Sequence, residues 1–364
     1  MLALIASCLP IGFAHAKGGG APPPPPPPPS PWQVILLQPS FAKESYAYGG
    51  SVTQQVGYGY TSNWHALLWN SSAASGVDLN PAGVSQSFLF GVGDGQQVGS
   101  TAKNFVQMAA LWRGTPASYV SLHPSGASSS TAYAVSGTQQ VGVTSFPSDP
   151  PGDGHASLWT GTAASWIDLY PGGHSGASAV SAGVQVGTIV IPAVPGSPRA
   201  SHAALWRGTP ESLVDLHPLV AGVLGSGLSG VSGDWQVGQV AVGSAPETAK
   251  LHASLWRGSS ESWVDLHPAH WDTSTALAID DGYQAGYVQP PFVFGVSSGH
   301  ACVWNGNAPS FYDLHILLPS GYGNGYSYAT GISHDATTIY VTGMAYNTKT
   351  KKMNAVLWVR LRVL

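Results

Sequence analysis

A phrase of eighteen residues recurs along this chain, and its repetition limits the possible folds more than any other feature. It reads LHASLWRGSSESWVDLHP from Leu251 to Pro268, and close copies begin at Ser201 and Gly154. Three anchors recur with it: a glycine that ends a QVG-like run, the tryptophan of an LW or VW pair, and the leucine of a DL pair. The seven glycines, seven tryptophans and six leucines are Gly57, Gly99, Gly142, Gly187, Gly238, Gly286 and Gly343; Trp69, Trp112, Trp159, Trp206, Trp256, Trp304 and Trp358; and Leu79, Leu122, Leu169, Leu216, Leu266 and Leu314.

Each repeat predicts four short strands. Successive anchor tryptophans lie 43 to 54 residues apart, and Gly, Asn, Asp and Ser separate the apolar runs, as turns require. In the unit that contains Trp159, the expected strands A to D are Ser130–Gly137, Gln139–Thr144, His155–Trp159 and Ser165–Pro171. Four short strands at this period are typical of a propeller blade, so the sequence predicts an all-β, seven-bladed β-propeller.

The seventh D-strand leucine is missing after Trp358, and a segment near the N-terminus supplies a candidate for it. Residues 32–40 read WQVILLQPS and are similar to SWVDLHPAH, with Leu37 in the place of Leu266. We therefore expect a strand over about residues 32–39 to complete the last blade and close the ring. Closure removes the open sheet edges that invite aggregation.

The spacing of the anchors separates scaffold from variable surface. From each tryptophan to its leucine there are always 10 residues, whereas glycine to tryptophan varies from 12 to 19 and leucine to the next glycine from 18 to 29. In an up-and-down blade, the B–C and D–A connections emerge at the same end. All the variation is therefore expected on one face of the disc, with the repeated phrase acting as scaffold and any function lying in the variable loops.

Histidines accompany the repeat at two positions. Strand C begins with histidine in five units, and with Met108 or Asn354 in the other two, a replacement that a metal site would not tolerate. We expect these histidines to hydrogen-bond a backbone carbonyl or the nearby Asp, and we expect the same structural role for the LHP histidines. The two sets are His65, His155, His202, His252 and His300, and His123, His217, His267 and His315.

The N-terminal region predicts export. Residues 1–16 are apolar and end in Ala14-His15-Ala16, which is typical of a signal peptide, although a basic n-region is missing. Lipid attachment at Cys8 is an alternative. Residues 17–31 form a Gly/Pro-rich linker and residues 32–364 the propeller. No later stretch is long and apolar enough to span a membrane, and a net charge of −4 with a pI near 6.3 indicates no nucleic-acid partner.

The segments HASLW, HAALW and HALLW, preceded by QVG-like runs and followed by DL, resemble the HAF repeat family of bacterial extracellular proteins. The resemblance covers about residues 44–359. Two departures are visible: the family's Phe is Ser, Ala, Leu or Cys here, and its DLG is DLHP. The resemblance implies an extracellular repeat architecture and assigns no activity.

The variable connections contain the candidate binding residues. Aromatic rings beside polar groups can stack on sugar rings or anchor a protein partner, although the same rings could simply pack the loops onto the disc. From these residues we expect a monomeric, non-catalytic propeller, extracellular or at the cell surface or periplasm, that binds a glycan or protein without a cofactor or metal. The alternatives are a polysaccharide hydrolase or lyase with its site in the funnel, and a purely structural envelope protein. The candidates are Trp64, His174, His270, Trp271, Asp272, Phe292 and Tyr322.

Overall fold

The computed structural model describes residues 31–362 except 105, 171, 193–199 and 292–297. The predicted signal, and the predicted linker up to residue 30, lie outside the described residues. Within the described part, the chain forms 28 β-strands and short 3₁₀ turns. The strands make seven antiparallel sheets of four, which confirms the seven-bladed β-propeller.

The strands follow the chain blade by blade. The first, β1 (Trp32–Leu36), belongs to the last blade. Blades I to III contain β2 (Glu44–Gly50), β3 (Gln55–Tyr60), β4 (Trp64–Trp69) and β5 (Val77–Asp78); β6 (Gln86–Gly93), β7 (Gln96–Lys103), β8 (Val106–Trp112) and β9 (Val120–Ser121); and β10 (Ser129–Ser136), β11 (Gln139–Ser145), β12 (His155–Trp159) and β13 (Ile167–Asp168). Blades IV to VII contain β14 (Ser175–Ser181), β15 (Val184–Ile191), β16 (Ala200–Trp206) and β17 (Val214–Asp215); β18 (Val223–Ser232), β19 (Trp235–Val242), β20 (Lys250–Trp256) and β21 (Val264–Asp265); β22 (Thr273–Asp280), β23 (Tyr283–Gln289), β24 (His300–Trp304) and β25 (Tyr312–Asp313); and β26 (Ser327–His334), β27 (Thr338–Asn347) and β28 (Lys352–Leu361).

The outer strand is shorter than the sequence predicts. In blade III the expected strand over 165–171 is reduced to β13, which pairs with β12 at only two positions. A single 3₁₀ turn precedes the outer strand in six blades, so the C–D connection uses residues that the pattern assigned to strand D. The 3₁₀ turns at this position are Ala73–Ser75, Pro116–Ser118, Ala163–Ser165, Pro210–Ser212, Ser260–Ser262 and Ala308–Ser310, and two further turns cover Pro246–Thr248 and His315–Leu317.

The anchor tryptophans pack neighbouring blades together. Trp159 contacts the cluster of blade II that includes Leu111, whereas Ala156 and Leu158, on the opposite side of the same strand, contact the cluster that contains Trp206 of blade IV. This is the alternation expected of strand C. All seven anchor tryptophans are at most 1% exposed, so the repeated phrase is scaffold.

The N-terminal strand closes the ring, as expected. β1 pairs with β28 in the order β1-β28-β27-β26, with Trp32 opposite Arg360. Leu37 is fully buried beside Trp69 of blade I and Leu357 of blade VII. The last blade therefore takes its outer strand from the start of the propeller.

A β-bulge in each inner strand accounts for the anchor glycines. In β10, Ala132 pairs with Gly142 and Ala134 with Val141, so Tyr133 is an extra residue without a partner on β11. The bulge brings an inner-strand carbonyl close to the glycine. A Cβ on Gly142 would lie only 1.9 Å from the carbonyl oxygen of Thr131, so no larger residue fits there. The same approach, at 1.8 to 2.0 Å, occurs at all seven anchor glycines. The extra residues project toward the central channel and are Tyr48, Phe90, Tyr133, Ser178, Ser229, Leu277 and Thr330.

Candidate functional site

The five strand-C histidines are structural, as their replacement by Met and Asn indicates. In each blade that has one, the Nδ1 atom lies 2.6 to 2.8 Å from the Oδ2 atom of the strand-D aspartate. The hydrogen bond ties the two-residue outer strand to strand C. The pairs are His65–Asp78, His155–Asp168, His202–Asp215, His252–Asp265 and His300–Asp313.

The LHP histidines hold neighbouring blades together. At the junction of blades II and III, the Ser130 hydroxyl accepts the Ala109 N–H at 2.8 Å and lies 2.7 Å from Nδ1 of His123. Nε2 of His123 lies 3.2 Å from the Ala127 carbonyl oxygen, so Nε2 carries the ring proton and Nδ1 accepts the proton of the serine hydroxyl. The same arrangement recurs at three other junctions, with His217, His267 and His315. At two junctions an amide oxygen replaces the imidazole, from Asn80 and Gln38.

These four histidines make the fold sensitive to acid. Burial lowers the pKa of each one below the ordinary value of 6.5. At three of them a strand-C imidazole stacked 4.0 to 4.1 Å away acts in the same direction. The unfolded chain therefore binds protons at a higher pH than the fold does, and stability falls as the pH drops below about 6.5. His155 opposes this: burial lowers its pKa, but hydrogen bonds to Asp149 and Asp168 outweigh burial and raise it.

We expect the quadruple variant H123N/H217N/H267N/H315N to lose much of this pH dependence. Asn80 shows that an amide oxygen can accept the serine proton at the same place, so the contact is retained while the titrating group is removed. Thermal unfolding between pH 7 and pH 5 should show the slope of Tm against pH reduced by about half. The control is H270N, which makes the same substitution at an exposed position outside the Ser–His contacts. An unaltered slope in the quadruple variant would contradict the assignment.

The serines of the Ser–His contacts and the Cys302 thiol are buried, whereas the partly exposed Thr61 hydroxyl lies 3.2 Å from Nδ1 of His65, which also bonds Asp78. The serine of each Ser–His contact is at most 5% exposed and accepts a backbone N–H. Cys302 is fully buried, and burial raises the pKa of its thiol well above 9.0. Among the residues that the structure describes, no group of three His, Cys, Asp or Glu side chains is placed to hold a metal ion.

The predicted binding residues on the early blades are held within the scaffold. Trp64 opens β4 and packs against the rings of Tyr46, Tyr58 and Tyr60. His174 lies between blades III and IV, where its Nδ1 accepts the Gly154 N–H at 2.9 Å. The two positions are two blades apart.

The remaining candidates lie between blades V and VII. His270 is an exposed residue with a φ of 75°, Trp271 packs against His300, and Asp272 accepts a hydrogen bond from Lys250 at 2.8 Å. Tyr322 is only 3% exposed and donates its hydroxyl proton to Asn354. Phe292 lies outside the described residues. Of the candidates that the structure describes, His270, Trp271 and Asp272 are neighbours along the chain, whereas Trp64, His174 and Tyr322 lie in other blades or connections.

A cavity at the loop-rich end of the central channel gathers residues that the sequence analysis did not select. It has a volume of about 410 Å³ and lies where blades VI, VII and I meet. Bulge residues of all three inner strands contribute to it, so it opens into the channel. We call it the tyrosine mouth, and its lining residues are Tyr46, Tyr48, Leu277, Tyr287, Gln289, Tyr326, Tyr328, Thr330, Met344 and Met353.

The rings of the tyrosine mouth are fixed by one another. Tyr287 and Tyr328 meet edge to face with centroids 4.9 Å apart, and Tyr326 stacks on Tyr346 at 5.0 Å. Burial raises the pKa of the phenols of Tyr46, Tyr326 and Tyr328, with the Glu44 carboxylate adding to the effect at Tyr46. The hydroxyls are therefore neutral and can both donate and accept. The mouth presents aromatic surface and hydroxyls without a charged lining residue.

Comparisons with solved structures identify propellers of similar shape. The chain is similar to the β-propeller domain of the Trilobed protease from Pyrococcus furiosus, with a TM-score of 0.55 and 9% identity over 88% of this chain and 94% of that one. It is similar to the acylaminoacyl peptidase of Pyrococcus horikoshii (TM-score 0.53, 10% identity, 90% and 54% covered). It is also similar to a puromycin-hydrolyzing peptidase of Mycobacterium tuberculosis (TM-score 0.50, 14% identity, 88% and 54% covered).

These likenesses show the fold, and the chain spans about half the length of the two full peptidases. No family model and no curated protein matches the chain. Among the described residues, no helix has the length and apolar character needed to cross a membrane.

The structural neighbours correct the functional prediction made from the sequence. That prediction was a non-catalytic surface propeller binding a glycan or protein through its variable loops, with a polysaccharide hydrolase or lyase, or an envelope component, as alternatives. It is wrong, because the similar propellers belong to peptidases. The prediction placed the site in the variable loops alone, whereas half of the residues that line the tyrosine mouth lie on inner strands.

Proposed function

We propose that this chain is the propeller part of a peptidase and serves peptide hydrolysis. The observation that carries the proposal is the likeness of the whole seven-bladed ring to the propellers of a protease and two peptidases. The tyrosine mouth supports it, because an uncharged aromatic cavity with hydroxyls suits side chains and amides of a peptide. Fold alone does not determine function, so the site geometry is a necessary second argument.

The proposed role of the propeller is to hold the peptide, while another domain or chain supplies the catalytic groups. The serines of the Ser–His contacts are buried within blade junctions and Cys302 is a buried thiol. Neither can attack a peptide carbonyl, since attack needs an exposed nucleophile beside a base. Hydrolysis is therefore assigned to a catalytic domain in the same protein or in a partner.

Recovery of the native protein tests this proposal. The full chain is purified with a tag from its natural source under mild conditions, and hydrolysis of blocked fluorogenic peptides is measured. We expect peptidase activity to elute with the chain, and to be absent from a tag-only purification. A native assembly that is pure and folded but hydrolyses no peptide would overturn the proposal.

We also propose that the chain is exported, as the apolar residues 1–16 and the Ala14-His15-Ala16 run support. Cleavage after that run would leave Lys17 as the first residue. N-terminal sequencing of the protein from the envelope or medium should find Lys17. An intact Met1 on all of the cell's protein would contradict export by this route.

A further inference from the structure

We infer that the tyrosine mouth is a specificity site for an uncharged aromatic side chain of a peptide. The inference rests on the proposed function and adds the class of residue that is selected. It concerns a cavity lined by the inner strands of blades VI, VII and I together with β23, β27, β28 and Tyr326 of the connection before β26.

The size and charge of the cavity favour such a side chain. A volume of about 410 Å³ falls within the roughly 300–1,000 Å³ of ligand pockets. No lining residue carries a charge. A glutamate side chain would lose its water there without gaining an ionic partner. A lysine side chain would meet no charged lining residue, and the Glu44 carboxylate beside the cavity already accepts a proton from the Tyr46 hydroxyl at 3.4 Å.

The ring geometry favours an aromatic group over an aliphatic one. Tyr287 and Tyr328 stand at 88° to each other, so a further ring can meet the face of one and the edge of the other. These are the arrangements that aromatic pairs prefer. Met344 and Met353, each 5% exposed, supply thioether sulfurs beside the rings, and sulfur–aromatic contacts are favourable.

The lining also offers groups for the peptide backbone. The Oε1 atom of Gln289 accepts a proton from Thr273 at 3.1 Å, which orients the amide and leaves its Nε2 group to donate to a peptide carbonyl. Neutral tyrosine hydroxyls can bond either amide group. Thr330 is committed to the scaffold, because its hydroxyl donates to the Ala47 carbonyl at 2.9 Å.

The bulge residues that face the channel differ around the ring. Those of blades I to III are Tyr48, Phe90 and Tyr133, whereas those of blades IV and V are Ser178 and Ser229. An aromatic side chain held in the mouth at blades VI, VII and I therefore leaves the rest of the peptide free to continue past the small residues of blades IV and V.

Calorimetric titration of the full chain tests the inference. The probes are acetyl-Gly-Gly-X-amide peptides in which X is Phe, Leu, Lys or Glu. We expect the Phe peptide to bind about tenfold more tightly than the Lys and Glu peptides, with the Leu peptide between them. Tyr287→Ala and Tyr326→Ala should each remove about tenfold of the affinity for the Phe peptide. The control is Trp235→Ala, which removes a ring that is 37% exposed at the opposite face.

Gln289→Glu provides a second test that does not depend on removing a ring. A carboxylate in the mouth should let the Lys peptide bind more tightly and leave the Glu peptide weak. Equal affinities for the Phe and Lys peptides in the unmodified chain, or an unchanged Phe affinity in both tyrosine variants, would overturn the inference. Peptidase activity without a preference for Phe would refute the mouth assignment alone. Phe binding in a native assembly without peptidase activity would refute the proposed function instead.

Discussion

Deletion of residues 31–40 should lower the Tm of the propeller by more than about 10 °C. The deleted segment contains β1, every pair that β1 makes with β28, and the fully buried Leu37. Its loss uncovers one edge of β28 and opens the packing around Trp69 and Leu357. An open, apolar edge strand also invites association between chains. Thermal unfolding and light scattering should show both effects.

A circular permutant separates the strand's contacts from its position in the chain. Trp32 pairs with Arg360, which sets Pro31 opposite Leu361, so a two-residue Asn-Gly turn between Leu361 and Pro31 can lead directly into residues 31–40. The permuted chain would begin at Phe41 and should recover most of the lost Tm. A chain that begins at Pro31 is the second control and should unfold like the full chain. If the permutant is soluble and monomeric but its Tm stays as low as that of the deletion variant, closure by β1 is not what stabilises the ring.

The fold was predictable because the spacing of residues within the repeat indicates the order of the strands in each blade. The constant ten residues from tryptophan to leucine fix the C–D unit, and Leu37 in the place of Leu266 indicates the closing strand. The length of strand D could not be predicted from the sequence. Its residues keep an apolar pattern up to Leu169, but only Ile167 and Asp168 pair with β12, because the 3₁₀ turn at 163–165 uses the preceding residues.

The bulges were missed although the sequence carries a sign of them. Strict alternation would place buried residues two apart, yet the buried Ala132 and Val135 are three apart, and the same interval separates Ala276 and Ile279. An extra residue inserted into the inner strand is the simplest cause of that shift. Once the bulge is recognised, Tyr133 and its equivalents are assigned to the channel rather than to the core.

The candidate site was missed for a related reason. The tyrosines of ESYAYGG and SYATG alternate with small residues on inner strands, and a strand pattern alone does not tell a channel-facing ring from one packed between blades. The structure separates them: Tyr46 and Tyr328 line a cavity, whereas Tyr322, which was selected from a loop, is buried. Ring closure brings blades VI, VII and I together, so the mouth depends on contacts distant in sequence.

Gly187→Ala should destabilise the propeller, because each anchor glycine makes room for the bulge of the inner strand beside it. A Cβ on Gly187 would lie 2.0 Å from the carbonyl oxygen of Gly176 on the bulged strand β14, and both atoms belong to backbone that is held by its neighbours. Either the bulge or the β15 backbone must move, and overpacking of this kind costs about 3 kcal/mol. Urea unfolding should show that loss, and tryptophan fluorescence should report the altered blade packing.

Gly176→Ala is the matched control within the same strand pair. A Cβ at Gly176 meets no atom within 4 Å, and alanine restricts the unfolded chain more than glycine does, so its stability should stay within about 0.5 kcal/mol of the parent or rise slightly. The two variants add the same methyl group on neighbouring strands and differ only in what it meets. If they unfold at the same urea concentration, the close approach of the bulge carbonyl does not explain why a glycine recurs at this position in all seven repeats. If only Gly187→Ala is destabilised, glycine is required there because the inner strand bulges toward the channel. The equivalent bulges of blades I, VI and VII place Tyr48, Leu277 and Thr330 in the tyrosine mouth.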